Sequence, residues 1–235
     1  MLSSTHHGVV LAAGAPNPWF GTQYISDYSD DIIAALQEHV VITIAAVLLG
    51  LLLSIPLALV AQRSRLAEGA ILGTAGVIYA IPSISLLLIL YAWLDLGLTS
   101  WTVIVALTLY NVLILVRNVL TGLRGVPDEA KEAAAGMGFG TVRRILRVEL
   151  PLALPGITAG TRIATVNTVA LVTIGFAVGH GGVGEIITSG FQNNLYRQQV
   201  LVGVVLVVLL AVAFDLLLLG IQWLLTPWTR AEAAR

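Results

Sequence analysis

Two long, predominantly apolar runs, residues 40–61 and 200–225, determine the solvent in which this chain can fold. Each reaches the roughly 20 residues that a helix needs to cross a hydrocarbon layer about 30 Å thick. Their apolarity is continuous, without the alternation of a barrel strand, and in lipid a helix satisfies its own backbone groups. The composition agrees: 57% of the 235 residues are hydrophobic and 11% charged, far from the balance of a soluble domain. The expected class is an all-α membrane protein.

The same criterion divides the chain into five spans, near residues 39–62, 66–94, 101–119, 156–178 and 199–225, within a membrane domain covering 38–225. Residues 1–37 are expected to lie outside the cytoplasm. Their run 8–15 has no preceding Lys or Arg and is too short for a signal sequence, so a poorly ordered terminus is expected. Asp27, Asp30 and Asp31 beside Ile32, Ile33 and Leu36 predict a short amphipathic helix leading to the first span. Pro82 predicts a bend within the second span, because proline removes a donor and clashes with the preceding turn. Trp93 and Trp101 flank the next link at headgroup level, and the glycine-rich link 179–184 is expected as a flexible external loop.

Charge placement orients this arrangement. Of the 12 Lys and Arg residues, Arg197 alone falls on the outer side, whereas Arg63, Arg65, Arg117, Arg124, Lys131, Arg143, Arg144, Arg147, Arg162, Arg230 and Arg235 fall inside. Positive residues collect on the cytoplasmic side, so the amino terminus is expected outside and the tail 226–235 inside. The absence of cysteine removes thiol chemistry, and His6 beside His7 in a terminal segment does not predict a metal site.

Residues 132–155 break the apolar pattern with three arginines, three glycines and two prolines. Asp128 and Glu129 suit a helix start, Gly136 and Gly138 permit a turn, and Val142, Ile145, Leu146 and Val148 alternate with arginines in a second helix. Pro151 and Pro155 are expected to stop that helix from running straight into the bilayer. The predicted result is an elbow over 127–151, two short helices about a sharp corner, projecting between spans. A basic amphipathic loop resting on the inner leaflet is the competing reading.

The spacing of Glu132-Ala133-Ala134, Gly138 and Leu150-Pro151 resembles the coupling motif of permease subunits of binding-protein-dependent ATP-binding-cassette importers, with Val148 where isoleucine is common. The stretches VELPLALPGITAG, TRIATV and GGVGEII are similar to permeases for glycine betaine, carnitine and choline. Methionine permeases share the Ile-Pro-Ser element and the glycine-rich link, so an amino-acid permease is the alternative. The resemblance implies a type I importer fold, methionine-permease-like, in the bacterial inner membrane, with two identical or paralogous permease subunits. It also implies an external substrate-binding protein and cytoplasmic ATPase subunits that carry ATP and Mg. Glu132, Ala133, Ala134, Gly138, Phe139, Leu150 and Pro151 would then meet the ATPase: Glu132 by charge, Gly138 as corner, Phe139 as apolar anchor. The chain has no phosphate-binding G-x-x-x-x-G-K-[ST] loop, so it is not expected to cradle ATP itself; no cofactor on this chain and no nucleic-acid partner are expected.

Pathway candidates are Tyr79, Pro82, Asn111, Asn167 and Asp215. Asp215 falls within the fifth span, where an unpaired charge costs roughly 2.5–3.5 kcal/mol, so it should face protein or water; pairing with another helix is the leading expectation and attraction of a cationic substrate the alternative. Arg162 is expected to snorkel towards the inner surface. Asn111, Asn167, Thr165 and Thr168 suit either a polar path or bonds between helices, and Tyr79, Tyr91 and Tyr110 either packing or a quaternary ammonium group. A membrane enzyme or a scaffold are the readings from other classes. For an enzyme, His180 and Ser189 are the candidates, but Ser189 lacks a G-x-S-x-G elbow and the sequence places no acid to orient His180, so no catalytic residue is expected.

Overall fold

The computed structural model describes residues 17–94 and 97–228. The readings made on run 8–15, on Arg230 and Arg235, and on the tail beyond residue 228 lie outside the described residues. Among those described, every regular element is helical.

A short helix α1, Gln23–Asp27, precedes α2, Ser29–Ala61. The amphipathic segment and the first span are one helix, because no Gly or Pro lies between Ser29 and Leu49 and Asp30 and Asp31 suit the positive end of one helix. At 33 residues α2 is about 50 Å long, so it extends beyond a hydrocarbon layer. Ser64 accepts a bond from the Ala67 amide and starts α3, Arg65–Ala80. Helix α4, Ser83–Leu94, follows Pro82 at an angle of 99°. The expected kink is therefore a full break. The Ile81 carbonyl at the corner accepts a hydrogen bond from the Tyr110 hydroxyl, so the break does not leave it bare.

Helix α5, Ser100–Arg124, is the centre of the bundle and packs along α2. Two contacts show how the broken pair travels. At one end Glu68 on α3 holds Arg124 at the close of α5, with contacts of 3.0 and 2.6 Å. At the other, Ser100 at the start of α5 bonds Glu38 on α2, at 3.2 Å. Residue 65 therefore starts at one end of the bundle and residue 100 lies at the opposite end. Four helices among the described residues are long and apolar enough to cross a membrane, and the bent pair, taken as one broken span, brings the number to five.

Beyond α5 come α6, Asp128–Gly136, and α7, Thr141–Arg144. A π-helical turn, Ile145–Glu149, leads into α8, Leu150–Val172, which ends in a 3₁₀ segment, Thr173–Val178. Helix α9, Val183–Gln192, was not expected, and α10, Arg197–Leu225, completes the bundle. Residues 179–184 are not a loose loop. A Cβ on Gly184 would lie 2.2 Å from the Thr173 carbonyl oxygen, and one on Gly182, at φ +51°, would lie 2.8 Å from His39 Cβ. These glycines let the link pass between α2 and the 3₁₀ segment.

The core has a cluster around Ile42, Val103, Leu107 and Val172 and another around Ala58, Val116, Val119 and Leu123. Helix α10 contributes little to either and leaves most of its apolar surface uncovered, as a lipid-facing or subunit-facing helix would.

Candidate functional site

The elbow is built around Gly138. Helix α6 opens with Asp128 and Glu129, whose charges favour its positive end. Lys131 Nζ bonds Asp128 at 2.9 Å, and that bond lowers the Asp128 carboxyl pKa below its ordinary value. The helix closes in a Schellman arrangement: the Phe139 amide donates to the Ala134 carbonyl at 3.0 Å and the Gly138 amide to that of Ala135 at 2.9 Å. Gly138 takes φ +77°, in the left-handed region that favours glycine. The corner then packs on itself, with Ala134 buried and the Arg143 guanidinium 4.4 Å over the Phe139 ring.

Glu132, Ala133 and Gly138 face outward, while Phe139, Leu150 and Pro151 are half-buried. Three apolar side chains join the exposed set: Met137, Val142 and Leu146 are each at least 60% exposed. Val142 and Leu146 sit four residues apart and so share one helix face, and Met137 lies just before the corner. Their apolar type beside arginines is the signal that marks them.

Pro151 and Pro155 do not stop the second arm. Residues Thr141–Val178 run as one 38-residue helix. In the π turn the Leu150 amide reaches back five residues to the Ile145 carbonyl, and Pro151 falls where the register has just shifted. A proline that is asked for no donor can stay in a helix. The second arm, which begins at Thr141 just past the corner at Gly138, is therefore continuous with a membrane-spanning helix.

A second polar feature lies far from the elbow, between α8 and α10. Arg162 grips Asp215 through Nε and Nη2, both at 2.9 Å, a two-pronged pair about midway along both helices. Asp215 is thus paired with a neighbouring helix, and Arg162 is committed to that pair and not to the inner surface. The pair and Asn167 line an open groove of about 690 Å³.

The remaining pathway candidates go elsewhere. Asn111 is buried between α5 and α8, where its Oδ1 accepts from the Thr168 hydroxyl at 3.0 Å. Thr165 is buried and bonds back to the Thr161 carbonyl. Tyr79 stacks edge-on against Tyr110 at 5.5 Å, beside the break at Pro82. Tyr91 lies on α4, partly exposed.

His180 does have an acid, contrary to expectation. Its Nδ1 lies 2.7 Å from Glu38 Oε1 and 3.1 Å from Ser100 Oγ, and its Nε2 lies 3.2 Å from the Leu98 carbonyl. Glu38 is 142 positions away, which hid it from the sequence. A hydrolytic triad puts acid and nucleophile on opposite ring nitrogens; here both share Nδ1 while Nε2 faces a carbonyl. The cluster is a clasp joining α2, the start of α5 and the glycine-rich link.

Comparison with known proteins decides what these parts belong to. Residues 46–231 match the family described as "Binding-protein-dependent transport system inner membrane component". The chain belongs to this family. The permease is 34% identical over 206 residues to the choline transport system permease protein OpuBB of Bacillus subtilis, covering 87% of this chain and 93% of that one. It is 32% identical over 205 residues to the glycine betaine/carnitine/choline transport system permease protein OpuCB of the same organism, covering 87% and 93%. It is 30% identical to the osmoprotectant import permease protein OsmW of Salmonella typhimurium, covering 87% and 96%. Its fold matches MetNI, a methionine ABC transporter in inward-facing conformations, with TM-scores of 0.70 and 0.74 at 24% and 22% identity. Those two structures cover 83% and 85% of this chain. The type I importer fold and the inner-membrane transport role follow, and an ABC importer permease is a transport subunit.

Proposed function

We propose that this permease carries trimethylammonium compatible solutes, such as glycine betaine, carnitine and choline, across the inner membrane on energy from a separate ATPase. The observation that supports the solute class is its similarity, over 87% of its length, to permeases for choline, for glycine betaine, carnitine and choline, and for osmoprotectants. The structural likeness to the methionine transporter, at 24% identity or less, speaks to fold alone.

In this reading the elbow end is cytoplasmic, which the positive-inside bias supports, with the amino terminus outside and the carboxyl terminus inside. The exposed face of Glu132, Ala133, Met137, Val142 and Leu146 meets the ATPase, which holds ATP and Mg. A second permease subunit completes the pathway and an external binding protein delivers solute. ATP-driven closure of the ATPase pair pushes the elbow, and the unbroken helix Thr141–Val178 transmits that motion through the membrane. The clasp of Glu38, Ser100 and His180 sits at the opposite, outer end.

The test is the complex with its ATPase and binding protein, purified and reconstituted in vesicles. ATP-dependent uptake of glycine betaine, carnitine or choline is expected. Uptake of methionine in place of all three would overturn the solute class, and failure of an ATPase to co-purify would overturn the coupling.

A further inference from the structure

The Arg162–Asp215 pair sits where an ion pair is hard to accommodate. Helix α10 has 29 residues and Asp215 is followed by ten of them, so the carboxylate lies about 15 Å from the helix end, within a hydrocarbon layer about 30 Å thick centred on the helix. Yet the pair is not sealed inside the subunit: the Arg162 side chain is 26% exposed and that of Asp215 36%. Charged groups at this depth almost always face the bundle interior or a water-filled cavity. The face of α8 that carries Arg162 therefore opens on the aqueous path or on the seam between two subunits. That face has the groove, with Ala159, Val166 and Ala170 leaving room beside Arg162, Asn167 and Asp215. From Ala159 to Ala170 it extends about 16 Å along the helix.

We propose that this groove is a transient substrate station for zwitterions bearing a quaternary ammonium and a carboxylate, and that the Arg162–Asp215 pair opens to receive them. This rests on the solute class proposed above. The chemistry is an exchange of partners. The substrate carboxylate takes the Nε and Nη2 donors that Asp215 holds in the empty state, and the quaternary ammonium, which has no hydrogen to donate, lies against the released Asp215 carboxylate. Asn167 supplies a further amide to the carboxylate end. One positive and one negative group accept one negative and one positive group, so no charge is left uncompensated in the membrane. A simple cation such as choline satisfies Asp215 and leaves Arg162 without a partner, so the station favours zwitterions. The described groove has no aromatic lining, which suits brief occupancy and not capture. Resting as an ion pair also keeps both groups compatible with the membrane between transport events.

The alternative for the same pair is a brace between α8 and α10, and the experiment separates the two. Radiolabelled glycine betaine and choline are followed into vesicles holding the whole reconstituted complex, with one unchanged binding protein, so that any shift between solutes arises in the permease. Arg162→Gln is expected to lower glycine betaine uptake about tenfold or more, the loss of a charged two-pronged bond, while choline uptake falls by about threefold or less. Arg162→Lys, which keeps charge and insertion but not the fork, should shift the ratio in the same direction by a smaller factor. The double exchange Arg162→Asp/Asp215→Arg restores a brace but reverses the station, so glycine betaine uptake should stay low. Equal losses for both solutes in Arg162→Gln and Arg162→Lys, or full rescue by the double exchange, would overturn the station and leave the permease function standing. A native complex that takes up neither solute would overturn the function and the station together.

Discussion

Arg144 Nε donates to Glu149 Oε1 at 2.7 Å, bridging the π turn that joins the elbow to the membrane helix. The two partners are unequal: the Glu149 side chain is 5% exposed and that of Arg144 33%. Removing one leaves the other, and the cost depends on which is left. Arg144→Ala strands a buried carboxylate, at about 3 kcal/mol or more, whereas after Glu149→Ala the guanidinium can turn to solvent. Faster backbone hydrogen exchange over residues 141–150 is expected in Arg144→Ala, and a smaller increase in Glu149→Ala. The reverse order would show that the bridge does not hold the turn.

The corner makes a second comparison possible. Gly138 is at φ +77° with open space around it, so alanine there meets no neighbour and suffers only from its backbone, by about 1–2 kcal/mol. Gly136 also has open space but ends a right-handed helix, where alanine is neutral or better. Gly138→Ala should therefore raise the ATP hydrolysed per solute imported, while Gly136→Ala should leave that ratio unchanged. Bulkier Gly138→Trp should insert normally and uncouple further. Native coupling in Gly138→Trp would count against the elbow as the transmitting part.

How much of this could be read in advance differs by element. The apolar runs and the elbow's corner were legible, because membrane length and a left-handed glycine each leave a local mark. The continuity through Pro151 was not, since a π turn is a matter of hydrogen-bond register and not of composition. Helix α9 hid behind the glycines of residues 179–184, which look like a loose link until the Thr173 carbonyl is found against Gly184. The need for Asp215 to find a partner follows from membrane physics, but its choice of Arg162, and His180's choice of Glu38, depend on which helices are neighbours.

The break at Pro82 yields a sharper test of packing. The Ile81 carbonyl depends on the Tyr110 hydroxyl, so Tyr110→Phe leaves a polar oxygen without its partner among apolar side chains, at about 1–3 kcal/mol. Tyr79→Phe removes a hydroxyl from the other ring of the same edge-on pair, but Tyr79 is 40% exposed. Unfolding in detergent should occur at lower temperature for Tyr110→Phe than for Tyr79→Phe. Equal midpoints would mean that the corner is held by packing alone.

At the opposite end, Gly184→Ala places a methyl group 2.2 Å from the Thr173 carbonyl oxygen, which is backbone and cannot rotate away. Overpacking of this kind costs about 1–3 kcal/mol and should loosen the Glu38–His180 clasp nearby. Gly220→Ala, with nothing within 4 Å, is the matched control on the exposed α10. A lowered unfolding temperature is expected for the first variant only.

The chain contains no cysteine, so single cysteines report its orientation without background. Thr141, just past the corner, and Gln192, at the end of α9, are both exposed and lie at opposite ends of the bundle. If positive residues set the topology, Thr141→Cys in intact cells resists a membrane-impermeant maleimide and reacts once the membrane is opened, whereas Gln192→Cys reacts at once. A count of five crossings needs the α3–α4 pair to carry the chain across, a reading that the Glu68–Arg124 and Glu38–Ser100 contacts at opposite ends of α5 support. Ser64→Cys and Thr99→Cys, which flank the pair, should therefore also report opposite sides. Equal protection of those two would mean that the pair turns back on itself, and the count of crossings would fall to four.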